Sequence, residues 1–185
     1  MRKLFEFNLI TLDGYFEGPN RDISWHNVDE EFNEYAIAML NSLDMLLFGR
    51  VTYELMASYW PTQNAMKDDP IVAGLMNRLP KAVFSRSLAK ADWNNTRLVK
   101  DHVAEEVQKL KELPGKDLAV FGSANLLSTL IQNNLIDEHR IIVNPLVLGQ
   151  GSPLFNGFKG RMNLKLTNTR TFKSGNVLLC YQPAS

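Results

Sequence analysis

The sequence predicts an α/β fold built on a mostly parallel central sheet that closes in a C-terminal antiparallel hairpin. Three observations predict it. Short apolar runs rich in β-formers alternate with helical patterns through the first three-quarters of the chain. Several of those runs are too uniformly apolar for half-exposed strands, so they mark strands covered on both faces. The last two runs are separated by Ser174-Gly175-Asn176, a turn composition with no room for a helix.

Taken in order, the strand-like runs are Leu4–Leu12, Asp44–Phe48, Ala82–Phe84, Leu118–Phe121, Arg140–Val143, Leu164–Thr171 and Val177–Tyr181. Between them, Glu30–Leu43 repeats Phe32, Tyr35, Ala36, Met39, Leu40 and Leu43 at three- and four-residue intervals, which lays one apolar stripe against a sheet. Val51–Trp60, Pro70–Leu79, Val103–Leu113 and Ala124–Gln132 read the same way. Pro61–Pro70, with Asn64, Lys67, Asp68 and Asp69, is the most loop-like insertion and reads as a mobile flap. With no repeat, low-complexity tract or linker, the 185 residues are expected to form a single domain, 1–185.

Twenty basic and twenty acidic residues balance, so charge recommends neither nucleic acid nor an anionic membrane as partner, and it tolerates self-association. No targeting segment or membrane-length apolar run is visible. The lone Cys180 excludes an internal disulfide and a cysteine-based metal site; it agrees with a cytoplasmic location and reads as a packed core thiol. No metal is implied.

Chemistry concentrates at three strand-to-helix turns. At Phe48-Gly49-Arg50-Val51-Thr52 a buried strand meets glycine and a helix starts at once, presenting free amides and a positive dipole end suited to phosphate. Gly49 allows close approach and Arg50 offers a donor fork, although the same residues serve a plain turn with a solvated arginine, and Thr52 serves equally as a cap. At Phe84-Ser85-Arg86-Ser87 two hydroxyls flank a guanidinium, the set a ribose 2′-phosphate needs and also the make-up of an ordinary polar loop. At Phe121-Gly122-Ser123-Ala124-Asn125 small residues lead into a helix, so the backbone can lie against a pyrophosphate. This is neither the dinucleotide-binding glycine fingerprint nor a phosphate loop with its lysine. Together, the three turns would line one crevice at the carboxyl ends of the strands.

The order of these pieces resembles the dihydrofolate-reductase superfamily, and most closely the reductase domain at the C-terminus of the bacterial riboflavin-biosynthesis deaminase-reductase. The likeness covers nearly the whole chain. It rests on Thr11-Leu12-Asp13-Gly14-Tyr15-Phe16, on Phe48 to Glu54, on Phe121 to Leu126, and on Leu135-Ile136-Asp137-Glu138 leading into Asn144-Pro145-Leu146-Val147-Leu148-Gly149-Gln150-Gly151. The resemblance implies a three-layer α/β/α reductase domain that uses NADPH and forms a homodimer. It places Gly49, Arg50 and Thr52 at the cofactor phosphates, Ser85 and Arg86 at the 2′-phosphate, and Gly122, Ser123, Ala124 and Asn125 at the pyrophosphate. The loop Asp13–Gly18, with Gly14, corresponds to a flexible loop closing over nicotinamide. Two departures stand out: relatives carry adjacent glycines where this chain has Gly122-Ser123, and the single cysteine excludes the zinc-dependent deaminase half.

For the proton that accompanies hydride transfer, candidates are Asp13, otherwise a turn residue, and Asp29, Glu30, Glu31 and Glu34 of the first helix, otherwise solvated. Trp25, His26 and Trp60 are candidate walls of the substrate pocket, with His26 a donor near neutral pH. The expected activity is NADPH-dependent reduction of a small heterocyclic metabolite, resembling 5-amino-6-(5-phosphoribosylamino)uracil reductase. The alternatives are a pterin C=N reductase and a non-catalytic NADP-binding or ligand-sensing domain.

Overall fold

The computed structural model describes residues 1–184. Eight strands form one sheet: β1 (Leu4–Thr11), β3 (Leu43–Gly49), β4 (Lys81–Phe84), β5 (Thr96–Val99), β6 (Asp117–Val120), β7 (Glu138–Asn144), β9 (Leu164–Thr171) and β10 (Val177–Pro183). Their spatial order is β5-β4-β3-β6-β1-β7-β10-β9. Every pairing from β5 to β7 is parallel, and β10 runs antiparallel to both β7 and β9. The remaining strands, β2 (Tyr15–Glu17) and β8 (Ser152–Pro153), make a separate two-stranded clasp.

Helices cover both faces. On one side α1 (Glu30–Asn41), α2 (Arg50–Tyr59) and α4 (Pro70–Arg78) bury Phe32, Met39, Leu40, Tyr53, Leu75 and Met76 against Phe5, Phe7, Leu46 and Phe48. On the other, α5 (Val103–Glu112) and α6 (Ala124–Gln132) bury Val107, Leu110, Leu127 and Leu130 against Leu4, Leu47, Leu118 and Val120. Central strands covered on both faces are what uniformly apolar runs require. Cys180 is buried and unpaired, and the hairpin turn puts Gly175 at φ +90°, a conformation glycine adopts freely.

One expectation is overturned. Pro61–Pro70 is not a loose flap: it holds a short helix, α3 (Gln63–Asp68), with Ala65 fully buried. Thr62 and Asp69 cap α3 and α4 by accepting from Ala65 N and Val72 N. The polar residues that read as loop are therefore two caps and the outer face of one helical turn.

The β1–β6 seam is short. Its register runs Leu4↔Leu118, Phe5↔Ala119 and Glu6↔Val120 and stops, whereas β1 stays paired with β7 as far as Thr11↔Asn144. The sheet forks there, and Asn8 and Gly122 face each other two residues beyond the last pair. The chain leaves β1 toward β3 on one side and leaves β6 toward β7 on the other, so the fork lies where the connections diverge, the usual place for a ligand crevice.

Candidate active site

Strands β4, β3 and β6 are neighbours, so their carboxyl ends bring the three turns side by side. Adding β1, the row spans roughly 14 Å at the usual strand spacing. Gly49 N donates to Gly122 O at 2.9 Å, which joins two of the turns directly. A Cβ on Gly49 would lie 2.3 Å from Ser123 Oγ, and one on Gly122, at φ +103°, would lie 2.9 Å from Thr52 Oγ1. Glycine is needed at both positions so that the two turns can touch.

The helix starts in this row differ from those elsewhere in lacking both a capping side chain and a first-turn acid; α5, also uncapped, carries Glu105 and Glu106 there. Asp29, Thr62 and Asp69 cap α1, α3 and α4 with their side chains. By contrast α2, behind Gly49, and α6, behind Ser123, have no side-chain cap and no acidic residue in the first turn. Their leading amides keep their donor capacity and positive dipole ends for an anion. Arg50 is partly exposed and, among the described residues, bonded only to Glu54, at 3.0 Å; Arg86 is largely exposed and paired with Asp101 at 3.1 Å. Exposed pairs of this kind are weak and yield readily to a phosphate. Ser85 Oγ already accepts from Leu88 N at 3.0 Å and lies 3.4 Å from Ser87 Oγ. Phosphates, the parts of a dinucleotide this row would have to hold, are matched by its donors; Asn125 is exposed at the start of α6 beside half-buried Ser123 and Ala124.

Asp13 is occupied. Its carboxylate accepts from Thr11 Oγ1 at 2.6 Å, Gly149 N at 2.8 Å and Leu148 N at 3.2 Å, and these bonds, the Thr11 one foremost, hold its pKa below the ordinary value. The loop that carries Asp13 and Gly14 is bound to 146–154 along its length, through the β2–β8 clasp, Ser152 Oγ to Glu17 at 2.9 Å, and Leu154 N to Gly14 O at 3.3 Å. On α1, Asp29 caps the helix by accepting from Phe32 N. Glu31 accepts from Lys173 N and Arg170, bonds that lower its pKa, the Lys173 amide first; Glu30 and Glu34 are exposed.

The Trp25-His26 loop is pinned at the carboxyl end of β7 and the hairpin turn, with Asn27 N donating to Asn144 Oδ1 and Asn27 Nδ2 to Ser174 O. His26 Nε2 is buried without a partner among the described residues, and burial pushes the ring's pKa down to about 4 against a weaker opposing pull from Asp22. At neutral pH the imidazole is therefore uncharged, which corrects its reading as a ready donor. Trp25 packs edge-on to His26 with Nε1 donating to Asp22 O. Trp60 is not brought to this edge: it lies a helix length, about 15 Å, from Gly49. Its carbonyl accepts from Asn77 Nδ2 near the start of β4, and its ring packs on the core.

Two polar residues that the sequence reading passed over lie beside the fork. Glu6 and His139 form a fully buried pair, Oε1 to Nδ1 2.8 Å, in which burial raises the Glu6 pKa. Asn8, on the same face of β1, is 7% exposed, and its Nδ2 has no partner among the described residues. The signal was available: two polar residues at i and i+2 in an otherwise apolar central strand.

Comparison with known proteins places this geometry in context. The model of the family described as "RibD C-terminal domain" matches residues 2–178. A Bacillus subtilis (strain 168) protein, uncharacterized protein YyaP, is 40% identical over 174 residues, covering 93% of this chain and 90% of its own. Among solved structures, a putative riboflavin biosynthesis protein from Shewanella sp. PV-4 superposes with a TM-score of 0.76 at 20% identity, covering 99% of each chain. The dihydrofolate reductase of Enterococcus faecalis, complexed with NADP(H), superposes with a TM-score of 0.66 at 13% identity, covering 99% of this chain and 97% of that one. The fold is therefore dihydrofolate-reductase-like.

Proposed function

From the premise that the chain belongs to the RibD C-terminal domain family, we propose that it is an NADPH-dependent reductase of a small heterocyclic metabolite, of the kind reduced in riboflavin biosynthesis. The observation that carries the reading is the row of turns on β4, β3 and β6, with two uncapped, acid-free helix starts and two weakly held arginines. On this reading Arg86 and Ser85 hold the 2′-phosphate. Arg50, Gly49 and Thr52 meet the neighbouring phosphates, and Gly122 to Asn125 lie against the pyrophosphate.

When bound, NADPH supplies a hydride. The chain's part is to orient the ring at the β1–β6 fork and exclude water with the clasped loops around Gly14 and Gly149. Asp13, Asp29 and Glu31 are committed to structural hydrogen bonds, and His26 is neutral, so the accompanying proton comes from solvent water. On the first helix Asp29 and Glu31 are bonded and Glu30 and Glu34 are turned to solvent, so no carboxylate there is both buried and free as a pterin-type reaction needs, which favours carbonyl reduction.

Among the described residues no helix is long and apolar enough to cross a membrane, and the proposed setting is the cytoplasm. The proposed homodimer would use the β9 edge, where Leu166 is exposed. The deciding experiment is calorimetric titration of the protein with NADPH and NADH, repeated on an Arg50→Ala, Arg86→Ala variant. Tight NADPH binding that the variant weakens supports the reading; binding of neither dinucleotide overturns it.

A further inference from the structure

We propose that Asn8 is a positioning residue for the cofactor's nicotinamide, its side-chain amide pairing with the ring's carboxamide across the β1–β6 fork. The proposal rests on the reductase reading and adds to it a residue that no phosphate contact requires.

Strand pairing between β1 and β6 ends at Glu6↔Val120, and Asn8 and Gly122 stand opposite each other in the widening gap. The Asn8 amide reaches toward Gly122: its Oδ1 lies 3.8 Å from where a Gly122 Cβ would be. It lies beside the turn that joins Gly49 and Thr52 to Ser123, at the β1 end of the phosphate row. A dinucleotide running from Arg86 across β3 and β6 therefore brings its far end to Asn8.

Asn8 is nine-tenths buried, yet its Nδ2 donor has no partner among the described residues. Its immediate neighbours do not satisfy it: Glu6 turns Oε1 to His139 while its Oε2 is likewise buried without a partner among the described residues, and the groups across β7 and β6 are Ile141 and Gly122. Burying an amide donor unpaired is costly, and an apolar side chain of similar shape would avoid that cost. The cost is offset if the partner arrives with the ligand. A side-chain amide offers one donor edge and one acceptor edge, and a carboxamide presents the reciprocal pair. A ligand lacking that group leaves Asn8 unpaired, so the arrangement discriminates as well as binds.

The test is calorimetry on wild type, Asn8→Leu and Asn8→Asp with three probes: NADP+, its 3-acetylpyridine analogue (a ketone in place of the carboxamide), and adenosine 2′,5′-bisphosphate, which has no nicotinamide half. Thermal unfolding of each unliganded protein is run alongside. We expect Asn8→Leu to melt no lower than wild type, to bind NADP+ at least tenfold more weakly, and to bind the bisphosphate unchanged. Wild type should prefer NADP+ to the ketone analogue, and both variants should lose that preference. Asn8→Leu binding NADP+ within twofold of wild type overturns the proposal, as does equal weakening of NADP+ and the bisphosphate, which marks a merely structural residue. Wild type binding the bisphosphate but not distinguishing NADP+ from its ketone analogue overturns the Asn8 role and leaves the reductase reading standing. Wild type binding none of the three takes down that reading and the inference together.

Discussion

Replacing His26 by Gln tests the electrostatics of the loop held at the end of β7 and the hairpin turn. Burial holds the ring's pKa at about 4 in the folded protein, against an ordinary value of about 6.5 in the unfolded chain. The unfolded state then binds more protons wherever pH lies between those values, so stability rises with pH across that window. The contribution is fully present above about pH 6.5 and is lost progressively as pH falls through 4. Integrating the two titrations gives a loss on the order of 2–3 kcal/mol by about pH 4.5 relative to neutral pH. A glutamine cannot take up that proton. Urea unfolding of both proteins in steps from about pH 7.5 down to pH 4.5 should show wild type losing more stability than His26→Gln by roughly this amount. Parallel pH profiles would refute the argument and mean that the ring is solvated in both states.

Lys81 is almost fully buried, its ammonium donating to Leu79 O at 2.6 Å, Met76 O at 2.8 Å and Asn77 O at 3.3 Å and lying 4.5 Å from the Trp93 ring centre. Lys81→Met leaves the Leu79 and Met76 carbonyls unpaired and should cost about 2–3 kcal/mol in urea unfolding. Because burial lowers the Lys81 pKa to about 8, wild type should also gain stability as pH rises from 8 toward 10, a gain the Met variant lacks. Gly49→Ala drives a methyl onto Ser123 and should cost about 1–3 kcal/mol of stability while weakening NADPH at least tenfold by calorimetry. Arg86→Ala alone should narrow any preference for NADPH over NADH without changing NADH affinity. Asp13→Asn removes the anion that ties Thr11 to Leu148 and Gly149, so limited proteolysis should cut the two loops faster than in wild type.

The central strands were legible because burial on both faces leaves an unbroken apolar run, and every such run became a strand within a residue or two. What escaped had no such signature. Strand β5, Thr96-Arg97-Leu98-Val99, lies at the sheet edge with one flank solvated, so its polar residues hid it. Strand β8 is two residues long and exists only because β2 pairs with it. Helix α3 has one fully buried residue, Ala65, too little to make a stripe. At the site, the three turns could be found because glycine, serine and arginine after a strand carry local meaning. The occupation of Asp13 by Leu148 and Gly149, far along the chain, carries none. Nor does the remoteness of Trp60, which depends on α2 running back along the sheet.

The short seam between β1 and β6 also has a mechanical side. Two half-sheets, β5-β4-β3-β6 and β1-β7-β10-β9, are joined at a seam of three register pairs, all at the end away from the crevice. That end is riveted by Lys111 to Asp137 at 2.7 Å and by Arg2 to Asp44 at 3.4 Å. The molecule is thus built like a pair of tongs, with its pivot at Leu4–Glu6 and its jaws at Asn8 and Gly122. The jaw gap is spanned by no β1–β6 register pair, whereas each half-sheet is laddered throughout. The width of the crevice is accordingly the one dimension of the sheet's centre that no ladder pair between β1 and β6 fixes.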